Sequence, residues 1–135
     1  MSQETKEVVV PQHGQDAMFF WDGVLRHELL IQRCASCGAL RHPPRPMCPH
    51  CQSLEWDTVK SSGKGTVYTF VVHHYPPVRG FEPPHVPAVI ELEEGTRILS
   101  DVIGIDPSKV EVGLPVQVSF EVLYENVLIP VFRPA

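Results

Sequence analysis

Four cysteines constrain this chain more than any other feature of its sequence, because they stand in two Cys-x-x-Cys pairs ten residues apart: Cys34, Cys37, Cys48 and Cys51. Each pair can form a tight turn that presents two sulfurs to one tetrahedral metal ion, and four thiolates complete a closed structural site. Gly38 follows the first pair, where a residue that readily adopts positive φ lets the chain turn beneath the metal. The spacing therefore predicts a zinc ribbon.

The residues alone leave other uses of the four thiols open. Iron fits the same tetrahedral sulfur cage as zinc. Two disulfides would need an oxidising compartment, and the polar N-terminus lacks the apolar core of a secretory signal. A redox-active Cys-x-x-Cys would require the two pairs to act independently. His42 and His50 lie near the pairs in the sequence, but four sulfurs already complete the site, so we interpret both as neighbouring or surface residues.

The second half of the chain has the composition of β-strands. Proline makes up 14 of the 135 residues, which disfavours long helices and favours short strands joined by rigid loops. We expect strands at residues 65–75, 86–93, 97–103, 116–124 and 127–132, with a turn at Glu94-Gly95 and a helical turn capped by Asp106. Five strands with a longer connection before the fourth fit a small Greek-key barrel of the OB type. An open five-stranded sheet is the competing arrangement.

A short helix rich in aromatic residues precedes the cysteines. Apolar residues recur at helical spacing over residues 17–25, Asp16 is expected to cap the helix, and Gly23 to weaken its end. The aromatic side chains either pack this helix onto its own domain or dock it on another subunit: Phe19, Phe20 and Trp21. Phe81 poses the same alternative, since it lies in a stiff segment with five prolines over residues 76–87.

The charge is unevenly distributed along the chain. The formal net charge is −5, but the segment around the cysteines holds an excess of basic residues. These cations either balance the negative charge of a zinc ion with four thiolates or meet a phosphate-bearing ligand. The candidates for phosphate contacts are Arg41, Arg45 and Lys64. The acidic second half disfavours a nucleic-acid groove, which needs cations that follow the phosphates.

The sequence carries no motif for autonomous catalysis. It holds no nucleophile elbow, no His-Glu-x-x-His and no dinucleotide fingerprint, and a metal site would use all four thiols. The segment SGKGT at residues 62–66 lacks the glycine spacing of a phosphate loop, so we predict a tight entry into the first barrel strand. No apolar run reaches the length of a membrane span, and we expect a cytoplasmic protein. The predicted organisation is a lead and short helix at 1–27, a zinc ribbon at 28–60 and an OB-fold barrel at 61–135.

The order of these features resembles one family over nearly the whole chain, from about residue 17 to residue 133. The resemblance rests on an aromatic helix, two cysteine turns, a glycine-rich strand entry and two late strands, which read FFWDGV, LLIQRCASCG, PPRPMCPHC, SGKGTVYTF, LPVQVSFE and VFRPA. It is the family of rubredoxin-like zinc-ribbon plus OB-fold proteins associated with acyl-CoA enzymes. Gln52 stands where a glycine is common in the second cysteine turn.

The resemblance implies a mainly β fold with an N-terminal short helix, a rubredoxin-like ribbon with structural Zn²⁺, and a C-terminal five-stranded OB-fold barrel. It also implies a non-catalytic accessory subunit of a thiolase-superfamily enzyme, a thiolase or retro-aldolase, in which the chain helps to complete the pocket for a CoA ester. The implied partner is a thiolase-like or lipid-transfer-protein-like subunit in a heterotetramer. A MaoC-type enoyl-CoA hydratase is the alternative partner, and an OB-fold nucleic-acid-binding module is the remaining alternative.

Overall fold

The computed structural model describes residues 14–76, 84–124 and 127–135 of the chain. This part is mainly β, as predicted, and no helix in it is long and apolar enough to cross a membrane. Its regular elements are one α-helix and eight strands: α1 (Met18–Leu25), β1 (Leu30–Cys34), β2 (Leu40–Arg41), β3 (Trp56–Lys60), β4 (Lys64–Phe70), β5 (Pro87–Leu92), β6 (Arg97–Asp101), β7 (Pro115–Tyr124) and β8 (Val127–Pro134).

The first three strands form a small antiparallel sheet in the order β2-β1-β3. Cys34 is the last residue of β1 and pairs with Trp56, the first residue of β3, so the first cysteine pair begins where the strand ends. Two hydrogen bonds of 2.8 Å join the Arg33 guanidinium to the Asp57 carboxylate across β1 and β3. This sheet is the framework of the ribbon.

The remaining strands form a five-stranded antiparallel sheet in the order β6-β5-β4-β7-β8. The sheet curls until its two outer strands meet at one end, where Val102 and Phe132 form a parallel bridge. There the Ile103 N–H donates to the Phe132 carbonyl at 2.8 Å, and Ser100 Oγ donates to the Pro130 carbonyl at 2.9 Å. These contacts confirm the curled OB-type sheet over the open one.

Two turns of the barrel follow the local sequence signals. The Asp106 carboxylate accepts a hydrogen bond of 2.9 Å from the Ser108 N–H and caps a turn of 3₁₀ helix over Pro107–Lys109, as predicted. That turn lies in the longer connection before β7. Gly95 has a φ of +101° in the turn between β5 and β6, a conformation that glycine adopts without a steric penalty.

The helix forms where predicted, but its predicted cap is wrong. The Gly14 carbonyl accepts the Ala17 N–H at 3.0 Å, and the resulting 3₁₀ turn places Asp16 inside it instead of at the helix start. No side chain caps α1. The helix continues past Gly23 to Leu25. The glycine lets Leu30 pack closely against the helix, because a Cβ at this position would lie 2.8 Å from the Leu30 side chain.

One hydrophobic core connects α1, the ribbon sheet and the barrel. Phe20 and Val24 of α1 and Ile31 of β1 belong to the same buried cluster as Ile90 and Phe132 of the barrel. Each of these side chains is at most 6% exposed, and burying one of this size stabilises the fold by about 1.5–3 kcal/mol. The ribbon is therefore packed on the barrel and not merely tethered to it.

A polar junction fixes the passage from β3 into β4. The Glu94 carboxylate accepts hydrogen bonds from Ser61 Oγ at 2.7 Å and from the Ser62 N–H at 2.9 Å. The Ser61 N–H donates to the Leu29 carbonyl at 2.8 Å, and Gln117 Nε2 donates to the Ser62 carbonyl at 3.1 Å. The glycine-rich segment that follows enters β4 directly, as the sequence predicted.

We expect Gly63→Ala to destabilise the protein more than Gly113→Ala. Both glycines have positive φ, +79° and +92°, so each alanine incurs a backbone strain of about 1–2 kcal/mol. A Cβ at Gly63 would also lie 2.3 Å from Val118 Cγ1, whereas nothing lies within 4 Å of one at Gly113. The clash should add about 1–3 kcal/mol. Urea unfolding measures both variants, and equal losses of stability would contradict the close packing at Gly63.

Candidate metal centre

The four cysteine sulfurs converge on one point at the edge of the ribbon sheet. They all lie within 4.8 Å of one another, and the sulfurs of Cys34 and Cys51, like those of Cys37 and Cys48, are 3.6 Å apart. A tetrahedral ion with metal–sulfur bonds of about 2.3 Å separates its sulfurs by about 3.8 Å. The four residues therefore fit one metal ion in a closed four-thiolate site.

Two equivalent backbone turns hold the cysteine pairs. The Gly38 N–H donates to the Cys34 carbonyl, and the Gln52 N–H donates to the Cys48 carbonyl, both at 2.9 Å. Gly38 has a φ of +79° and Gln52 a φ of +60°. Gln52 thus adopts the left-handed conformation that favours glycine. Its turn has the same backbone hydrogen bond as the turn at Gly38.

Backbone N–H groups favour the thiolate forms of the buried cysteines. The N–H of Cys37 lies 3.4 Å from Cys34 Sγ, and the N–H of His50 lies 3.4 Å from Cys48 Sγ. The Cys37 N–H lowers the pKa of Cys34 to about 6, and the Cys51 N–H contributes most to lowering the pKa of Cys48. The neighbouring Cys48 thiol raises the pKa of Cys37, and the Cys34 thiol raises that of Cys51 to about 12. The fold therefore favours the thiolate, which is the metal-binding form, at Cys34 and Cys48, and not at all four positions.

The two-disulfide alternative is wrong. All four cysteines are free, and their sulfurs are much farther apart than the roughly 2.05 Å of a disulfide bond.

His42 packs its ring 5.4 Å from that of Phe20, and burial lowers the pKa of His42. His50 is exposed. Within the described ranges the only cluster of metal-binding side chains is that of the four cysteines.

Two of the three candidate phosphate contacts lie together between the cysteine pairs. Arg41 is only 6% exposed and donates from Nε to Gln32 Oε1 at 3.0 Å and from Nη2 to the Arg45 carbonyl at 2.9 Å. Arg45 exposes its side chain, while its N–H donates to Gln32 Oε1 at 2.9 Å. Lys64 stands apart from them, exposed at the start of β4.

A cleft of about 430 Å³ separates this segment from the turn between β5 and β6. Sequence reasoning missed its barrel side, because the cleft arises from packing between segments far apart in the chain. The guanidinium of Arg97 stacks over the Tyr68 ring at 3.7 Å and pairs with Glu91 at 3.2 Å. The residues that line the cleft are Leu40, Arg41, His42, Pro43, Arg45, Pro49, Gly95, Thr96 and Arg97.

The candidate partner contacts differ in burial. Phe20 is 6% exposed and belongs to the core, so the interpretation of its ring as a surface contact is wrong. Phe19 and Trp21 are half-buried, with the Phe19 ring 5.0 Å from Trp56 and the Trp21 ring 5.0 Å from Phe20. Phe81 lies outside the described residues.

A cluster of ionisable groups at the adjoining ends of β4, β5 and β6 also escaped sequence reasoning. His73 and His85 form an isolated antiparallel bridge, with their rings 5.0 Å apart. His85 Nε2 lies 3.9 Å from Asp101 Oδ1. Burial raises the pKa of Asp101 to about 6, and burial together with His73 lowers the pKa of His85.

The fold and the site define a class of protein, a four-cysteine zinc ribbon packed on an OB-fold barrel. Family models agree domain by domain: the rubredoxin-like zinc ribbon domain of ChsH2 matches residues 21–57, and the C-terminal OB-fold domain of ChsH2 matches residues 58–121. A DUF35 domain-containing scaffold protein of Methanocaldococcus jannaschii is 40% identical over 104 residues, which are 75% of this chain and 73% of that protein. The chain belongs to the DUF35 family, with the two domains of ChsH2.

Other similar proteins bear the names of enzyme subunits. A solved chain of the Ltp2-ChsH2(DUF35) aldolase is 46% identical with a TM-score of 0.88, covering 92% of this chain and 98% of that one. The benzoylsuccinyl-CoA thiolase subunit BbsA of Thauera aromatica is 32% identical over 75% of this chain and 74% of that protein. The probable enoyl-CoA hydratase alpha subunit of Thermomonospora curvata is 46% identical over 93% of this chain. This chain spans about two fifths of that subunit, 39% of its length.

Cys48→Ala should abolish metal binding and unfold the ribbon, because metal affinity and folding are coupled in a closed thiolate site. His50→Ala is the matched control: it removes an exposed side chain two positions away and keeps the backbone N–H near Cys48 Sγ. Elemental analysis gives the metal content and thermal unfolding gives the stability. Full metal content and unchanged melting of Cys48→Ala would contradict the four-thiolate site.

Asp101→Asn should stabilise the protein at pH 7 and lose this advantage near pH 4. Since burial raises the pKa of Asp101 to about 6, the folded state binds its proton more tightly than the unfolded chain, where the pKa is about 3.9. The stability that the protonated carboxyl contributes is present below about pH 4 and is lost as the pH rises through about 6. Asparagine does not titrate.

Thermal unfolding of Asp101→Asn and the native chain at both pH values checks this prediction. Asp22→Asn, an exposed substitution on α1, controls for the loss of one negative charge. A change in melting temperature that is the same at pH 4 and pH 7 would show that burial does not perturb Asp101.

Proposed function

We propose that this chain is a non-catalytic accessory subunit of a thiolase-superfamily enzyme, a thiolase or retro-aldolase, that acts on acyl-CoA thioesters. The observation that carries the proposal is the likeness to a subunit chain of a named aldolase, at a TM-score of 0.88 over 98% of that chain. The likeness to BbsA, a thiolase subunit by name, supports the same enzyme class.

The chemistry of the described residues supports a non-catalytic role. A thiol nucleophile for acyl transfer must be a thiolate that a substrate can reach. In this chain the four thiols face one another in one site, and a tetrahedral ion bound by all four has no open position. We therefore assign the nucleophile and the acid–base groups of carbon–carbon bond cleavage or formation to the partner subunit.

We assign zinc to the four thiolates, in a structural role. A closed tetrahedral set of cysteine sulfurs is typical of structural zinc, which joins segments of chain and performs no reaction. Here the ion would join the two cysteine turns and so fix the segment between them, where Arg45 is hydrogen-bonded to Gln32 and Arg41. The free thiols suit a reducing cytoplasm.

The basic residues beside the ribbon are our candidates for the phosphates of a CoA ester. Arg41 and Arg45 line one cleft, and no acidic residue occurs among the described residues that line it. Lys64 offers a separate exposed charge at the start of β4. In the assembled enzyme these cations would help to complete the CoA pocket that the partner subunit begins.

An apolar surface beside α1 is suited to the partner subunit. Met18 and Leu54 are 52% and 68% exposed, and Trp56 is 37% exposed beside the half-buried Phe19. Exposed apolar side chains that adjoin one another mark protein–protein contacts, and the contact between Phe19 and Trp56 joins α1 to β3 here. We assign this surface to the thiolase-like partner in a heterotetramer, with Trp21 on the same helix as a further candidate contact.

A hydratase is the second candidate partner, because the Thermomonospora curvata relative carries that name at 46% identity. The chain matches only 39% of that relative, so the residues responsible for the named hydratase activity can lie outside the matched region. A MaoC-type enoyl-CoA hydratase would then occupy the place of the thiolase-like subunit.

Co-purification of this chain with a thiolase-like subunit and, separately, with an enoyl-CoA hydratase tests the proposal. We expect the chain to elute with a thiolase-like subunit in equal amounts, and thiolysis or retro-aldol cleavage to fall at least about tenfold when the chain is omitted, a loss of about 1.4 kcal/mol of transition-state stabilisation. The exposed variant Lys109→Gln serves as the control chain and should support full activity. Activity that does not change on omission of the chain would refute the proposal. Complex formation with the hydratase alone would favour the second candidate.

A further inference from the structure

The guanidinium of Arg41 is a buried cation whose partners are all neutral. Its Nε and Nη2 donate to Gln32 Oε1 and the Arg45 carbonyl, while Nη1 is buried with no hydrogen-bond partner in the described structure. No carboxylate of the described ranges forms an ion pair with it. Buried charges are normally paired, because an uncompensated one is costly. Arg41 therefore lacks a negative group and an acceptor.

A second buried polar atom without a partner belongs to the opposite wall of the same cleft. Thr96 lies in the turn between β5 and β6, and its Oγ1 is buried with no hydrogen-bond partner among the described residues. The Thr96 carbonyl is already engaged, accepting the Leu92 N–H at 2.8 Å. An unmade hydrogen bond of a buried hydroxyl or guanidinium costs about 1–3 kcal/mol. Both residues line the same cleft, and one acceptor there would pair with a donor from the ribbon and a donor from the barrel once the two side chains rotate towards it.

The charge of the cleft selects an anion. Arg45 and Arg97 add positive charge to that of Arg41, and no acidic residue occurs among its described lining residues. Glu91 offsets part of the charge of Arg97 from the neighbouring strand. At about 430 Å³ the cleft lies within the usual range of small-molecule sites and exceeds the needs of a single phosphate.

We infer that this cleft is a binding site for a phosphate group, held between Arg41 of the ribbon and Thr96 of the barrel turn, with Arg45 as the cation at its mouth. A phosphate has several acceptor oxygens and two negative charges, so it can accept from both walls and neutralise the buried guanidinium. Either the ribose phosphate of a coenzyme A ester or free inorganic phosphate supplies this chemistry. The assignment to coenzyme A rests on the proposed function and gives the place where the phosphate of the ester would bind.

Isothermal titration of the metal-loaded full chain tests the site with three probes: inorganic phosphate, adenosine 3′,5′-bisphosphate and coenzyme A. Thr96→Val keeps the shape of the side chain and removes Oγ1. Arg45→Gln removes the charge, while the backbone of residue 45 keeps its bonds to Gln32 and Arg41. Each should weaken binding about tenfold, the equivalent of one charge-assisted hydrogen bond.

Two control variants match these changes outside the cleft. Thr66→Val alters an exposed threonine of β4, and Lys109→Gln removes an exposed cation of the 3₁₀ turn. Both should bind each probe within twofold of the native chain. Thermal unfolding separates binding from folding, because Thr96→Val removes a hydroxyl without a partner and should leave the melting temperature unchanged or raised.

The outcomes distinguish the site, its source and the proposed function. Binding of the bisphosphate and coenzyme A, weakened by both cleft variants, supports the site and the coenzyme as source. Binding of inorganic phosphate alone supports the site and assigns it to free phosphate. Absence of binding for every probe, or equal binding by native and cleft variants, overturns the inference and leaves the metal–thiolate centre to balance Arg41. None of these results decides whether the chain is an enzyme subunit, which the co-purification tests separately.

Discussion

The convergence of four sulfurs is the constraint on which the ribbon depends. Its sheet has one two-residue strand and two five-residue strands, too little chain to bury a core of its own. Cys34 and Cys48 occupy the place of core residues, at 1% and 0% exposure, and a bound ion would replace the packing that apolar side chains supply elsewhere. The ion would cross-link the two cysteine turns and so fix the shape of the segment between them, which carries Arg41 and Arg45. The proposed phosphate site beside the ribbon would therefore depend on the bound metal.

On the barrel side, the turn between β5 and β6 lines the cleft in which we propose the phosphate site. Glu94 receives the hydrogen bonds of Ser61 and Ser62 at the exit of the ribbon, and Thr96 stands two positions further along. These hydrogen bonds thus tie the turn that lines the cleft to the end of the ribbon. Because Phe20 and Ile31 extend the barrel core into the helix and ribbon, the two walls are held by apolar packing as well as by this polar contact.

Features that depend on residues close in sequence could be predicted. Cysteine spacing indicated the metal site, strand-like composition and turn residues indicated the strands, and Asp106 followed by proline indicated the capped turn. The burial of Arg41 could not be predicted, because Gln32 and Arg45 surround it only after the chain reverses at the cysteine turns. The pairing of His85 with His73 and Asp101 likewise needs three strand ends to meet. An arginine excess suggested a phosphate contact, yet only the fold separated Lys64 from the cleft.

The backbone and the side chain of Arg45 have different roles. Its N–H donates to Gln32 and its carbonyl accepts from Arg41, whereas its exposed side chain lines the cleft. Most amino acids can provide the same two backbone groups, so the architecture tolerates many side chains at this position. In the proposed phosphate site, the charge at residue 45 could therefore change while the backbone hydrogen bonds to Gln32 and Arg41 stay the same.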